Sequence, residues 1–120
     1  MDEELSEETL FKLLAKLKNN EMLIIKFTAD WCGPCKGIKD LVEELVNELP
    51  ETIKFNEIDV DDSVELFAKF KSKKMVNGIP AILGFKAGEK DFWYVPDDSV
   101  LGGNKEEVKK FFARCKEYGS

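Results

Sequence analysis

The sequence predicts an α/β domain with a central mixed sheet of four strands, flanked by about four helices. Three observations carry this. Helical stripes and short apolar runs follow one another in the order αβαβαββα. Two βα units followed by a hairpin and a closing helix imply a mixed sheet with helices on both faces. The chain of 120 residues is one domain, 1–120, long enough to bury a core without staples.

The first helix is predicted over residues 7–18. Ser6 is its N-cap, Glu7 and Glu8 suit the positive end of its dipole, and Leu10, Leu13, Leu14 and Leu17 form one stripe. No strand-like segment precedes it. Residues 22–28 are an apolar run read as a buried strand. The helix after Cys32 carries Ile38, Leu41, Val42, Leu45, Val46 and Leu49 on one face and stops at Pro50. A second strand covers 53–60. Asp61, Asp62 and Ser63 offer caps for a short helix to about Lys73, with Val64, Phe67 and Phe70 on its apolar face.

After the Asn77-Gly78 turn, a third strand opens with Pro80 and spans 79–85, since proline at a strand start costs no ladder bond. Lys86–Glu89 reads as a tight hairpin into a fourth strand at about Asp91–Val95, followed by a polar loop from Pro96 to Gly103. Asn104 caps a last helix striped by Val108, Phe111, Phe112 and Cys115.

A net charge of −6 argues against nonspecific binding to nucleic acid or an anionic membrane. No apolar run approaches the roughly 20 residues that span a bilayer. The acidic start, Met1-Asp2-Glu3-Glu4, is unlike a secretory signal, so a cytoplasmic protein is expected. Three cysteines in such a compartment do not make a disulfide framework, and there is no histidine. Cysteine–histidine catalysis and mixed zinc sites are thereby excluded, and no metal is expected.

Cys32 and Cys35 sit two residues apart where a strand passes into a helix, a redox pair by default reading. If Cys32 caps a helix starting at Gly33, Pro34 has no N–H to give, and the amide of Cys35 is the donor within reach of the Cys32 sulfur. That bond and the helix dipole favour thiolate at Cys32, the attacking form. Cys35, one turn deeper, is then the buried resolving thiol. Cys115 lies on an apolar stripe and is expected buried and inert.

Trp31-Cys32-Gly33-Pro34-Cys35-Lys36 resembles the active-site motif of thioredoxins letter for letter. Phe27-Thr28-Ala29-Asp30, Ile58-Asp59-Val60-Asp61, Gly78-Ile79-Pro80 and Phe85-Lys86-Ala87-Gly88-Glu89 follow in family order. The resemblance covers about residues 7–118. It implies a thioredoxin fold and dithiol–disulfide exchange with protein substrates, with Pro80 cis and facing the disulfide. It further implies that the Ile79 backbone pairs with a substrate strand. Trp31, placed beside an exposed thiol, would border a shallow docking surface with Ile79, Pro80 and Gly102 or Gly103.

The chain departs from the resemblance in four places. Lys26 stands where thioredoxins usually carry a buried aspartate, and Glu57 where they often carry a lysine, so a charge-reversed pair beneath Cys35 is expected. A cation there would make the disulfide more oxidising, and a desolvated lysine could take the Cys35 proton; pairing with Glu57 would shrink both effects. The alternative is that Lys26 snorkels to solvent. The family's N-terminal strand is expected to be missing. Asp40 stands where a kinking proline is often found. The segment Tyr94–Gly103 is longer than the family's turn, a loop near the docking surface.

The expected activity is protein-disulfide reduction through Cys32 and Cys35, by a monomer that binds no cofactor beyond its own redox-active disulfide. A separate reductase would recharge it, since no glycine-rich dinucleotide loop is present. The alternatives are a more oxidising oxidase or isomerase, and a non-catalytic binding module.

Overall fold

The computed structural model describes residues 5–119. Its elements are α1 (Glu7–Ala15), β1 (Met22–Thr28), α2 (Gly33–Asn47), β2 (Ile53–Asp59), α3 (Val64–Ser72), β3 (Ala81–Lys86), β4 (Asp98–Leu101) and α4 (Lys105–Gly119). The sheet order is β2-β1-β3-β4. β1 runs parallel to β2 with Met22 opposite Ile53, antiparallel to β3 with Phe27 opposite Ala81, and β3 is antiparallel to β4. The predicted mixed four-stranded sheet is therefore present. Among the described residues no strand precedes α1; the acidic start at residues 1–4 lies outside them.

Alternation along β1 divides the core into two layers. Leu23, Ile25 and Phe27 pack with Leu10, Leu66, Phe70, Leu83 and Phe85 under α1 and α3. Met22 and Ile24 pack with Ile38, Val42, Val108, Phe111, Phe112 and Cys115 under α2 and α4. Both faces of β1 are thus covered, which is why its sequence is a continuous apolar run rather than an alternating one.

Two predicted caps form. The Ser6 hydroxyl accepts from the Thr9 amide at 3.1 Å, and the Asn104 side-chain Oδ1 accepts from the Glu107 amide at 3.0 Å. Ser63 precedes α3 but makes no cap bond; it accepts instead from the Leu5 amide at 3.0 Å, tying the start of the chain to α3. Val64, expected inside, is 62% exposed, and Leu66 fills the core in its place. α1 ends at Ala15 and α2 at Asn47, each a turn or less short of the periodic stripe, and β3 begins at Ala81 rather than 79.

The fourth strand is the main correction. It is not Asp91–Val95 but Asp98–Leu101, inside the segment read as a polar loop. Aromatic packing overrode strand propensity. Trp93 packs edge-on against Phe70 and Phe11, with ring centroids 6.2 and 5.8 Å apart, so residues 91–95 serve as a plug between α1 and α3. Pairing then resumes where Asp97 donates its N–H to the Gly84 carbonyl at 2.8 Å and accepts the Lys86 N–H at 2.7 Å. Asp98 is held to α4 by a bidentate bond from Arg114 at 2.7 and 2.9 Å, which keeps its carboxyl below the usual range. Tyr94–Gly103 is consequently a plug and a strand, not a loop.

Cys115 is buried as expected, at 1% exposure, and burial pushes its thiol up to about 12. Unfolding restores an ordinary thiol near pH 8.5. Between those values the unfolded chain has lost a proton that the folded one keeps, so stability falls as pH rises through that window. Urea titrations from pH 8 to 11 should show Cys115→Ala losing less stability than the parent. The difference should approach about 1.4 kcal/mol per pH unit. Parallel curves would mean the thiol ionises equally well in the fold.

Candidate active site

The site is assembled at the carboxyl end of β1, where Thr28 faces Asp59 across the parallel pair. After Ala29 the chain turns into α2, and Cys32 takes the extended conformation of an N-cap, with φ −90° and ψ 110°. Its sulfur accepts the Cys35 amide at 3.2 Å, the donor that Pro34 leaves available. Cys32 and Cys35 are joined as a disulfide at the first turn of the helix, with Cα atoms 5.3 Å apart. Gly33 is exposed and Pro34 lies within the first turn.

Both sulfurs are better shielded than the sequence suggests. Cys35 is 2% exposed, as expected of a resolving thiol, but Cys32 is only 4% exposed rather than open to solvent. Cys32 belongs with Ala29, Val60 and Ala81 to the core layer beneath α1 and α3.

The predicted border residues converge on this pair. The Ile79–Pro80 peptide is cis, as the resemblance implies. The Pro80 carbonyl accepts the Gly102 amide at 2.8 Å, and Gly102 adopts φ +100°, a conformation glycine takes without strain. Gly103 lies against Pro34; a Cβ there would come within 3.3 Å of both the proline ring and its carbonyl oxygen. The loop after β4 is thus fastened to both the proline loop and the helix start. Ile79 is partly buried, and its N–H and C=O have no backbone partner among the described residues.

Trp31 is 67% exposed beside the disulfide, not part of the core. Its indole N–H donates to Asp61 at 2.9 Å, and the Asp61 amide donates to Asp59 at 2.8 Å. The contact between Asp61 and Trp31 is one that sequence reasoning passed over, since it placed Asp61 among the family segments and the caps for α3 without joining it to Trp31. Its signal is the place of Asp61 just past the end of β2, next to the strand that feeds Trp31.

Lys26 neither reaches solvent nor stands alone. It is 1% exposed, and its ammonium donates to Glu57 at 3.1 Å, while the Glu57 side chain is 49% exposed. The charge-reversed pair therefore exists. It lines a cavity of about 230 Å³ whose other walls include Lys39, Val42, Glu43 and Val46 of α2. These residues lie one to three turns beyond Cys35. No cluster of three or more histidine, cysteine or acidic side chains suited to a metal occurs among the described residues.

A family model described as Thioredoxin matches residues 3–114. The chain belongs to the thioredoxin family. A thioredoxin of Pyropia yezoensis is 34% identical over 86 residues, which are 72% of this chain and 71% of that protein. The chloroplastic M-type thioredoxin of Brassica napus is 40% identical over 86 residues, again 72% of this chain but 43% of that protein. Among solved structures, Fasciola hepatica thioredoxin superimposes with a TM-score of 0.74 at 28% identity, covering 97% of this chain and all of that one. With the cysteine pair at the start of α2, this is a thiol–disulfide oxidoreductase of thioredoxin type.

Proposed function

We propose that the protein reduces disulfides in other proteins, with Cys32 attacking and Cys35 resolving. The observation that carries this reading is the Cys35 amide aimed at the Cys32 sulfur at the helix start. In the dithiol form that bond and the helix dipole stabilise a thiolate at Cys32. The thiolate attacks one substrate sulfur and the other leaves as a thiolate that takes a proton. Cys35, losing its own proton, then attacks Cys32 and releases the second substrate thiolate. The pair ends as the disulfide, and two electrons have passed to the substrate.

Trp31, Ile79, Pro80, Gly102 and Gly103 form the docking surface in this proposal. The unpaired backbone of Ile79 supports strand-like pairing with an extended substrate segment. A separate reductase returns the electrons by the same exchange in reverse. The protein works as a monomer in the cytoplasm, where the reducing poise favours that direction.

The deciding measurement is the reduction potential of the Cys32–Cys35 pair in defined dithiothreitol or glutathione mixtures. A value near the roughly −270 mV of thioredoxin supports a reductase. One nearer about −180 to −120 mV would overturn it in favour of an isomerase or oxidase.

The buried Lys26 ammonium favours that second reading, and Glu57 opposes it by neutralising the charge. Two substitutions separate the effects. Lys26→Met removes the ammonium and leaves the half-exposed Glu57 carboxylate to water, so the potential should become more reducing by less than about 30 mV, with stability lowered by about 1 kcal/mol or less. Glu57→Gln leaves the ammonium uncompensated, and should make the disulfide more oxidising while costing about 1–3 kcal/mol. Identical potentials in both variants and the parent would remove Lys26 and Glu57 from the redox chemistry.

A further inference from the structure

A cleft of about 500 Å³ lies far from the disulfide, between the end of α1 and the turn that leaves β3. β3 starts beside Pro80 and reaches the cleft at Lys86, so the two regions are separated by roughly 20 Å of extended strand. The cleft shares no lining residue with the docking surface.

Its walls are apolar and aromatic. Leu14, Ala15 and Leu17 come from α1 and its exit, Phe85 from β3, and Phe11 meets Trp93 edge-on with centroids 5.8 Å apart. Phe11 remains 50% exposed despite that contact. Clefts of this volume, with aromatic walls and a few polar groups, suit a small organic ligand.

Lys90 is the cation the cleft offers a ligand: Lys86 also lines it, but its ammonium lies 4.6 Å from the Tyr118 ring centroid, in the layer under α4. Glu89 is the one carboxylate in the lining. The Lys90 ammonium lies 5.3 Å from the Phe85 ring centroid and donates to Val95 O at 3.1 Å and Asp97 at 2.6 Å. An ammonium has three N–H donors, which leaves one for a ligand.

We propose that this cleft is a second binding site, taking a small planar aromatic molecule that bears an anionic group. The ring would enter between Phe11, Phe85 and Trp93, and the anion would meet the remaining N–H of Lys90. Edge-to-face packing holds the ring, and opposite charge selects the acid over its neutral analogue. The site is independent of the disulfide chemistry and stands whatever the direction of electron flow.

The probe is anilinonaphthalene sulfonate, with uncharged phenylnaphthylamine as its comparator, titrated by fluorescence against the full chain. The sulfonate should bind at least about fivefold more tightly than the neutral probe, the order of one partly exposed charge pair. Ala15→Trp, which fills the cleft, and Phe11→Glu, which removes a half-exposed ring and adds negative charge, should each weaken it about tenfold or more. Lys90→Met should erase the preference for the anion. A Trp31→Ala variant should bind as the parent does, and circular dichroism should show each variant folded. No binding, binding untouched by Ala15→Trp, or binding lost in Trp31→Ala would each overturn the proposal.

Discussion

A Cys35→Ser variant is expected to stay joined to its substrate through Cys32 as a long-lived mixed disulfide. The Cys35 backbone amide remains, so the bond that favours a Cys32 thiolate survives the substitution. The serine hydroxyl is protonated at neutral pH and does not displace a sulfur, so the intermediate accumulates. Cys32→Ser should instead form no adduct. Turnover in both should fall by at least about a thousandfold, the order seen when a catalytic nucleophile is removed. Mass spectrometry with a disulfide-bonded peptide reads the adduct directly. A stable adduct with Cys32→Ser, and none with Cys35→Ser, would exchange the two roles. The Cys35 amide, which donates to the Cys32 sulfur, argues against that exchange.

The largest loss of stability should come from Phe70→Ala. Phe70 is fully buried at the centre of an aromatic cluster, with ring centroids 5.7 Å from Phe27 and 6.2 Å from both Phe85 and Trp93. Truncation leaves a void that three large rings do not easily close. The cost should be about 3–5 kcal/mol, a large share of a typical domain's total. That corresponds to a fall in Tm of roughly 10–20 °C. Urea unfolding with an unchanged slope measures it; a loss below about 1 kcal/mol would show that the plug at 91–95 relaxes into the gap. Trp93 loses its backing in the same variant, so the distal cleft should be damaged while the disulfide end keeps its geometry.

Much of the site was legible because its chemistry is local. The cap from Cys35 to Cys32 follows from the missing N–H of Pro34 three residues into one motif. The Lys26–Glu57 pair was legible through the resemblance to thioredoxins, which matches the two positions, and a buried lysine demands a partner. The bond between Trp31 and Asp61 was not: it joins residues 30 apart whose proximity depends on how β2 ends. The depth of Cys32 was missed for a related reason, since it belongs to a core cluster with residues as distant in sequence as Val60 and Ala81.

The fourth strand shows where local reasoning stops. Residues 91–95 have the aromatic character of a strand, whereas Asp98-Ser99-Val100-Leu101 has the polarity of a loop. Their roles are reversed because Trp93 is worth more in the gap beside Phe70 than as an edge-strand residue. A short edge strand also needs only one buried side chain, Val100, to hold its register.

The sequence by itself determined the element order, the two-faced sheet, the helix caps at Ser6 and Asn104, and the cysteine pair at a helix start. These rest on periodicity and on contacts within a few residues. Only the tertiary structure decided which segment completes the sheet, how deeply Cys32 lies, what holds Trp31, and that a cleft opens at the far end. Each of those depends on which distant surfaces meet, and burial energy gained across the chain outweighs the preferences of any short stretch.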